Sequence, residues 1–277
     1  MYYRQKRVKN YVPLLALAGA VIVLVGAGWL ARGAIREFWY DVTRPALPPA
    51  VEYVPPTPTT TAATSTAAVP TPTPTKPSPK PPTPAPTIQA EVNLAVPWLL
   101  QAPKQNWVQP FEDACEEASL LMVDAYYDGR GRGWTADEGI EDILDVVAFE
   151  DETYGYNKDT TAADVANTAK VKFGYKNTVV MDATEANIKK MLNEKRPVII
   201  PAYGKALNNP NFRNGGPEYH MLVIKGYNKD GSWITNDPGT RRGADYVYPK
   251  QLLLDAIHDF DPRDMRTGRK VMIVVIP

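Results

Sequence analysis

The sequence predicts a domain of the α+β class, in which N-terminal helices pack on a C-terminal antiparallel sheet. Capping motifs and apolar residues at helical spacing dominate residues 115–194, whereas β-branched apolar runs dominate residues 198–276. A block of helices followed by a block of strands is typical of this class. Residues 1–88 differ from the rest, because they contain a long apolar run and a proline-rich tract.

The apolar run at residues 11–31 is predicted to be a single-pass membrane anchor. Its 21 residues are all uncharged, and the nearest charged residues are Lys9 and Arg32. As a helix rising about 1.5 Å per residue it is roughly 30 Å long, the hydrocarbon thickness of a bilayer. Basic residues at positions 4, 6, 7 and 9 place residues 1–10 in the cytoplasm and the domain outside the cell membrane. A cleaved signal peptide is the alternative, for which the run is long.

Residues 32–88 are predicted to be a disordered Pro/Thr-rich stalk. Fifteen of the 27 prolines lie between Pro45 and Pro86, mixed with Thr, Ala and Ser. Such a composition cannot bury a core and favours extended polyproline II. The stalk is therefore expected to hold the domain, residues 89–277, up to on the order of 130 Å from the membrane.

The domain is mildly acidic and lacks a metal-ligand pattern. Residues 89–277 carry 22 Lys+Arg and 28 Asp+Glu, a net charge of −6 by subtraction, with no basic run. This composition argues against nucleic-acid binding. One cysteine and two histidines far apart in sequence give no expectation of an internal disulfide, a metal or a cofactor.

Four helices are predicted in the first half of the domain. The first begins near Cys115, with Asp113 as its N-cap, and stops at residues 128–129. Capping boxes at Thr135 and Thr161 open two more, expected to end near residues 147 and 173. Thr184 caps the fourth, which is expected to end before residue 197.

Strands are predicted around these helices and in the second half of the domain. The expected strands are residues 92–101, 198–203, 219–227, 232–235 and 270–276, with a hairpin turn at residues 228–231. His258 lies in an amphipathic segment, residues 251–260, and is expected to be structural.

Cys115 is the candidate nucleophile. A thiol at a helix N-terminus faces unpaired backbone N–H groups that favour the thiolate. Glu116 and Glu117 suit the positive end of the helix dipole, yet two carboxylates beside a thiol oppose its ionisation. The alternative is a buried structural cysteine, since free Cys is among the most buried residue types.

His220 and Asp237 are the candidate general base and its orienting acid. His220 begins a strand after a long polar loop, residues 205–218, which is expected to shape a cleft. Asp237 follows the next strand, so pairing of the two strands would bring both side chains together. Structural hydrogen bonding by His220 and an ordinary Asn-Asp-Pro-Gly turn remain the alternatives.

Gln101 is the candidate oxyanion donor. It lies 14 residues before Cys115, where its side-chain amide could stabilise a developing negative charge. Gln105 is a second candidate for the same role, and an ordinary polar turn residue is the alternative for Gln101.

In the order Gln101, Cys115, His220 and Asp237 the chain resembles a papain-like cysteine peptidase. The likeness is to the bacteriocin-processing type, cysteine peptidase family thirty-nine, in its standalone form. It rests on four stretches that cover most of residues 92–240: Val-Pro-Trp-Leu-Leu-Gln at 96–101, Cys-Glu-Glu-Ala-Ser-Leu-Leu-Met at 115–122, Arg-Pro-Val-Ile-Ile at 196–200, and His-Met-Leu-Val-Ile-Lys-Gly-Tyr at 220–227 with the Asn-Asp-Pro turn. The family often has Gly after the nucleophile, where this chain has Glu116.

The resemblance implies a papain-like fold and hydrolysis of peptide bonds. Cys115 would attack the carbonyl, His220 would move the proton, Asp237 would orient His220, and Gln101 would stabilise the oxyanion. The implied substrate is a peptide or protein, including cell-wall peptide, and no cofactor is needed. The alternatives are a non-catalytic peptide- or cell-wall-binding module with the same fold and a cell-wall amidase of the other bacterial papain-like group.

Overall fold

The computed structural model describes residue 38, residues 42–55 and residues 88–277. Contacts divide the chain into two units, residues 1–46 and residues 47–277. In the first unit, the described side chains of Phe38 and Val42 are exposed. The predicted cytoplasmic tail, the predicted anchor and most of the predicted stalk lie outside the described residues. Within the described residues, no helix is both long enough and apolar enough to cross a membrane.

Five α-helices are present in the described part of the second unit: α1 Cys115–Tyr127, α2 Ala136–Tyr154, α3 Ala162–Val171, α4 Glu185–Asn193 and α5 Lys250–Ala256. Thr135 and Thr161 form the predicted capping boxes, and Thr184 caps α4. Helix α2 is longer than predicted, because its buried face continues past residue 147 to Glu150 and the helix ends only at Gly155, in the left-handed conformation.

The strands form one antiparallel sheet. They are β1 Val92–Asn93, β2 Val179–Asp182, β3 Val198–Tyr203, β4 Tyr219–Tyr227, β5 Trp233–Asn236, β6 Tyr246–Tyr248 and β7 Val271–Val274. Their order is β2-β7-β3-β4-β5-β6, and β1 pairs with β4 beyond the end of β3. The predicted α+β class with an antiparallel sheet is confirmed. Strands β2 and β6 were not predicted, since both are short and their side chains are mostly half-buried or exposed.

Helix α1 packs on β4 and is buried almost all round. Every residue of α1 except Asp124 is buried, including both glutamates of its first turn. The N-cap is Ala114, which makes no side-chain capping bond, so the prediction of Asp113 as the cap was wrong. The Asp113 carboxylate instead contacts Lys158 at 3.1 Å and Gln109, a polar pairing that competes with capping.

A short segment upstream, residues 47–55, lies against the domain although it was predicted as stalk. Val51 forms a parallel bridge with Leu94, and its N–H donates to the carbonyl of Asn93 at 2.8 Å. The Tyr53 ring lies 5.6 Å from that of Tyr126 and 4.9 Å from that of Tyr127, at the end of α1. The segment was predicted as stalk because the prediction used composition alone. Its proline content hid the few residues that can pair with a strand or pack on a helix.

Candidate active site

His220 and Asp237 form a buried pair at one edge of the sheet. The register pairs Val223 of β4 with Asn236, the last residue of β5, so the next residue, Asp237, lies beside the start of β4. Nε2 of His220 lies 2.9 Å from Oδ1 of Asp237, and both side chains are at most 1% exposed. Because Nε2 is held by the carboxylate, Nδ1 is the ring nitrogen left for chemistry.

Two further donors hold the Asp237 carboxylate as an anion, and a third contact fixes its main chain. The Tyr248 hydroxyl donates to Oδ2 at 2.6 Å, and the Gly239 N–H donates to Oδ1 at 2.9 Å. Trp98 donates its indole N–H to the Asp237 main-chain carbonyl at 3.0 Å. Burial alone would raise the pKa of Asp237, but His220, Tyr248 and Gly239 together hold it below its ordinary value.

The imidazole of His220 is clamped between Phe212 and Gly239. The Phe212 ring meets it edge-on, with centroids 5.3 Å apart. A Cβ atom at Gly239 would lie 2.8 Å from Cε1 of His220 and 3.1 Å from Phe212, so any larger residue would displace the imidazole. The predicted loop thus reaches the site, through Phe212.

Cys115 lies beside the strand that carries His220. Strand β5 pairs with β4 only from Val223 onward, which leaves the start of β4 open on that edge. There the N–H of Met221, the residue after His220, donates to Sγ of Cys115 at 3.3 Å. Sγ in turn lies 2.9 Å from Oε2 of Glu116, to which the thiol donates.

This environment favours the neutral thiol. Burial raises the pKa of Cys115 well above its ordinary value, and the charge and hydrogen bond of Glu116 raise it further, while the Met221 N–H opposes them. The expectation of easy ionisation at a helix N-terminus is therefore reversed in this conformation, because the carboxylate and the burial outweigh the backbone donors.

Three buried carboxyl groups lie behind the thiol. Glu116, Glu117 and Glu150 are each 1% exposed. Burial raises the pKa of Glu116 and of Glu117 well above the ordinary range, with the charge of Glu150 adding to both, and it raises the pKa of Glu150 to about 8. Near neutral pH the Glu150 carboxyl is therefore mostly protonated.

Gln101 is fixed to the same turn as Asp237. Its main-chain N–H donates to the carbonyl of Pro238 at 3.1 Å. Its side-chain Nε2 donates to the carbonyls of Phe111 and Glu112 at 3.1 and 2.9 Å, just before α1. The amide is thus engaged with the segment that leads into Cys115, and it would have to leave a carbonyl to donate to a substrate oxygen.

A cavity of about 290 Å³ opens beside His220 and Gln101, and neither Cys115 nor Asp237 lines it. Its lining includes Gln101 and His220, together with Trp107, Glu112 and Phe212. Gln105, the second candidate oxyanion donor, lines a neighbouring cavity that lacks His220. Among the described residues, no group of three or more His, Cys, Asp or Glu side chains is arranged to hold a metal ion.

Sequence reasoning placed the four candidate residues but missed their supporting contacts. Tyr248 and Trp98 were not singled out, although alternating tyrosines at residues 246–248 could have indicated a strand. The hydrogen bond that the Cys115 thiol donates to Glu116 was also missed, since an i, i+1 contact at a helix start has no sequence signature. His258 bonds through Nδ1 with the carbonyl of Gly268 at 2.9 Å, as part of the scaffold.

Comparison with known proteins gives a matching family and solved structures that include two of low sequence identity. Residues 93–256 match the model of the Peptidase_C39 like family. A crystal structure from Bacillus anthracis, whose protein is assigned as a C39-like peptidase, aligns with 16% identity over 68% of this chain and 98% of that chain, at a TM-score of 0.43. A fragment of prointerpain A from Prevotella intermedia aligns with 14% identity over 68% of this chain and 72% of that chain, at 0.42. No curated protein sequence matches the chain.

Proposed function

Because the chain belongs to the Peptidase_C39 like family, we propose that it is a cysteine peptidase in which Cys115, His220 and Asp237 act together. The observation that carries the proposal is the buried His220–Asp237 pair. It lies next to the edge of β4 where the N–H of Met221 contacts the sulfur of Cys115. An acid that fixes one ring nitrogen leaves the other directed at a nucleophile, which is the arrangement of a catalytic triad.

The reaction begins with a rotation of the Cys115 side chain about χ1, away from Glu116. The thiol proton passes to Nδ1 of His220, and the thiolate attacks the substrate carbonyl carbon. The imidazolium, stabilised by Asp237, then gives this proton to the leaving amine as the C–N bond breaks. A water molecule, deprotonated by His220, hydrolyses the thioester and regenerates the thiol.

Gln101 and the Cys115 backbone N–H are the proposed oxyanion donors. The amide of Gln101 lines the cavity with His220 and lies next to the segment before α1. Release of one carbonyl by Nε2 would free an N–H for the oxyanion.

We place the domain outside the cell membrane, on the anchor proposed for residues 11–31. If the chain reaches the domain at residue 47, residues 32–46 are the tether, and fully extended they span roughly 50 Å. This distance is shorter than the one on the order of 130 Å that is expected when the whole predicted stalk, residues 32–88, separates the domain from the membrane. It favours peptide or protein substrates near the membrane, including cell-wall peptide.

A non-catalytic peptide-binding module is the second candidate function. The observation that favours it is the thiol itself, which is buried, donates to Glu116 and has a raised pKa. A domain that keeps the cleft without a reactive thiol would bind peptides and not cut them.

The test is digestion of a peptide mixture by the full-length chain, followed by mass spectrometry. The peptidase proposal requires defined cleavage products that disappear in Cys115→Ala and His220→Ala. Alkylation of Cys115 between pH 4 and pH 9 accompanies it, and His220→Ala is expected to slow the reaction. Absence of products, together with alkylation that His220→Ala does not change, would leave the binding module as the better function.

A further inference from the structure

A second cavity, of about 400 Å³, adjoins the candidate active site and is rich in hydrogen-bond donors. It shares Trp107, Arg213 and Gly239 with the first cavity. Its remaining lining consists of neutral or basic residues: Gln105, Asn211, Thr240 and Arg241. No carboxylate lines it, although the domain as a whole carries a net negative charge.

The two arginines of this cavity differ from other arginines of the fold. The arginines at positions 130, 132, 196, 263, 266 and 269 each contact a carboxylate oxygen within 4.0 Å. For Arg213 and Arg241, the described part of the chain supplies no such carboxylate. Two exposed arginines without a described carboxylate neighbour therefore line one cavity, where planar donors suit a carboxylate.

Asn211 gives an independent indication, because its side-chain N–H donor lacks a hydrogen-bond acceptor within the part of the chain described. Its side-chain Nδ2 is buried and has no hydrogen-bond partner among the described residues. A buried amide donor without a partner is costly, and a ligand oxygen in the cavity would satisfy it.

We propose that this cavity binds a carboxylate of the peptide substrate, with Arg213, Arg241 and Asn211 as its donors. The inference rests on the proposed peptidase function. Gly239 belongs to both cavities, and a Cβ atom there would meet the imidazole of His220, which must hand its proton to the leaving amine. The carboxylate therefore belongs to the leaving-group half of the substrate, either as an Asp or Glu side chain or as a free C-terminus.

The first experiment uses a peptide that the full-length chain cleaves. Matched peptides carry Glu, Gln or Lys at each of three positions after the cleaved bond, with a free or amidated C-terminus. We expect kcat/KM to be about tenfold higher with Glu than with Gln at one position, mostly through KM, and to fall as salt screens the charges. If kcat/KM is instead higher for the peptide with a free C-terminus than for its amidated counterpart, the site binds the terminal carboxylate.

The variants separate this cavity from general electrostatics. Arg213→Gln combined with Arg241→Gln should remove the preference for the carboxylate. Arg269→Gln, the same change at an exposed arginine beside β7, should keep it. Equal rates for Glu and Gln peptides with either C-terminus, or a preference that survives in the double variant, would overturn the inference.

A binding measurement makes the result independent of hydrolysis. The full-length Cys115→Ala variant is titrated with a blocked alanine hexapeptide containing two Glu, with its Gln counterpart, and with an alanine hexapeptide that has a free C-terminus. The readout is the part of the fluorescence change that Trp107→Phe removes. Tighter binding of a carboxylate peptide, lost in the double variant, supports the cavity even if no peptide is cut. Equal binding of all three overturns it even if cleavage occurs.

Discussion

The thiol of Cys115 donates to the carboxylate of Glu116, the residue that follows it, across 2.9 Å. The same sulfur accepts the N–H of Met221 at 3.3 Å, beside His220. The nucleophile proposed here therefore rests in a neutral form, hydrogen-bonded to a carboxyl group. Its reactivity depends on the charge of Glu116 as well as on His220.

Glu116→Gln should make Cys115 more reactive. The substitution keeps the shape of the side chain and removes the charge that opposes ionisation, so the pKa of the thiol should fall. A lower thiol pKa gives more thiolate at pH 7, offset in part by its lower nucleophilicity, so alkylation at that pH should quicken by about threefold. Glu112→Gln removes a cleft charge that does not contact the thiol and serves as the control. An unchanged rate in Glu116→Gln would count against the role of this carboxylate.

The buried carboxyls should make the domain less stable as pH rises. Glu150 has a pKa of about 8 in the folded chain, above its ordinary value near 4.5, so the folded state binds the proton more tightly. A raised acid pKa gives stability that is full below about pH 4.5 and is lost as pH rises to about 8, by about 1.4 kcal/mol per proton and pH unit. We expect a higher Tm at pH 5.5 than at pH 8.5 by calorimetry.

Glu150→Gln isolates this effect. The variant should melt above the unchanged protein at pH 8.5 and close to it at pH 5, since it cannot ionise. Glu141→Gln, at an exposed position of the same helix, keeps Glu150 and should therefore melt with the same pH dependence as the unchanged protein. Parallel Tm curves for the Glu150 variant and the unchanged protein would contradict the account.

Tyr248→Phe should weaken the His220–Asp237 pair. It deletes the 2.6 Å hydrogen bond to a buried carboxylate, at a cost of about 1.5–3 kcal/mol in the free energy of unfolding near neutral pH. The pKa of Asp237 is lowered in the fold, so its contribution exists above about pH 4 and is lost in acid. The difference in Tm between variant and parent should therefore shrink in acid. Tyr246→Phe, on the same strand, is the control, and an equal loss there would point to general packing.

The domain should extend upstream to residue 47. Tyr53 packs on Tyr126 and Tyr127, and Val51 bridges to Leu94. A fragment of residues 47–277 should therefore unfold at a higher temperature than one of residues 88–277. Tyr53→Ala should lower the stability of the longer fragment by about 1–2 kcal/mol. Val54→Ala, at a position that is 66% exposed, should change little. Equal melting of the two fragments would show that the segment adds nothing.

The sequence by itself determined the class of the fold and the position of most elements. Capping boxes at Thr135 and Thr161 and the β-branched runs of β3, β4 and β7 act locally, through backbone hydrogen bonds and side-chain periodicity, so a short window contains the whole signal. It also singled out Cys115, His220, Asp237 and Gln101, because few residue types can perform acyl transfer and their order is informative.

Only the tertiary structure decided how those residues meet. The register of β4 and β5 sets the contact of His220 with Asp237. The packing of α1 on β4 places the backbone N–H of Met221 against the thiol of Cys115. Tyr248, 11 residues beyond Asp237, and the packing of Tyr53 on α1 depend on contacts between segments far apart in the chain. The raised pKa of the Cys115 thiol also depends on tertiary structure. Glu116, Glu117 and Glu150 are buried because of how the elements pack, whereas the sequence shows only that these carboxyl groups are present.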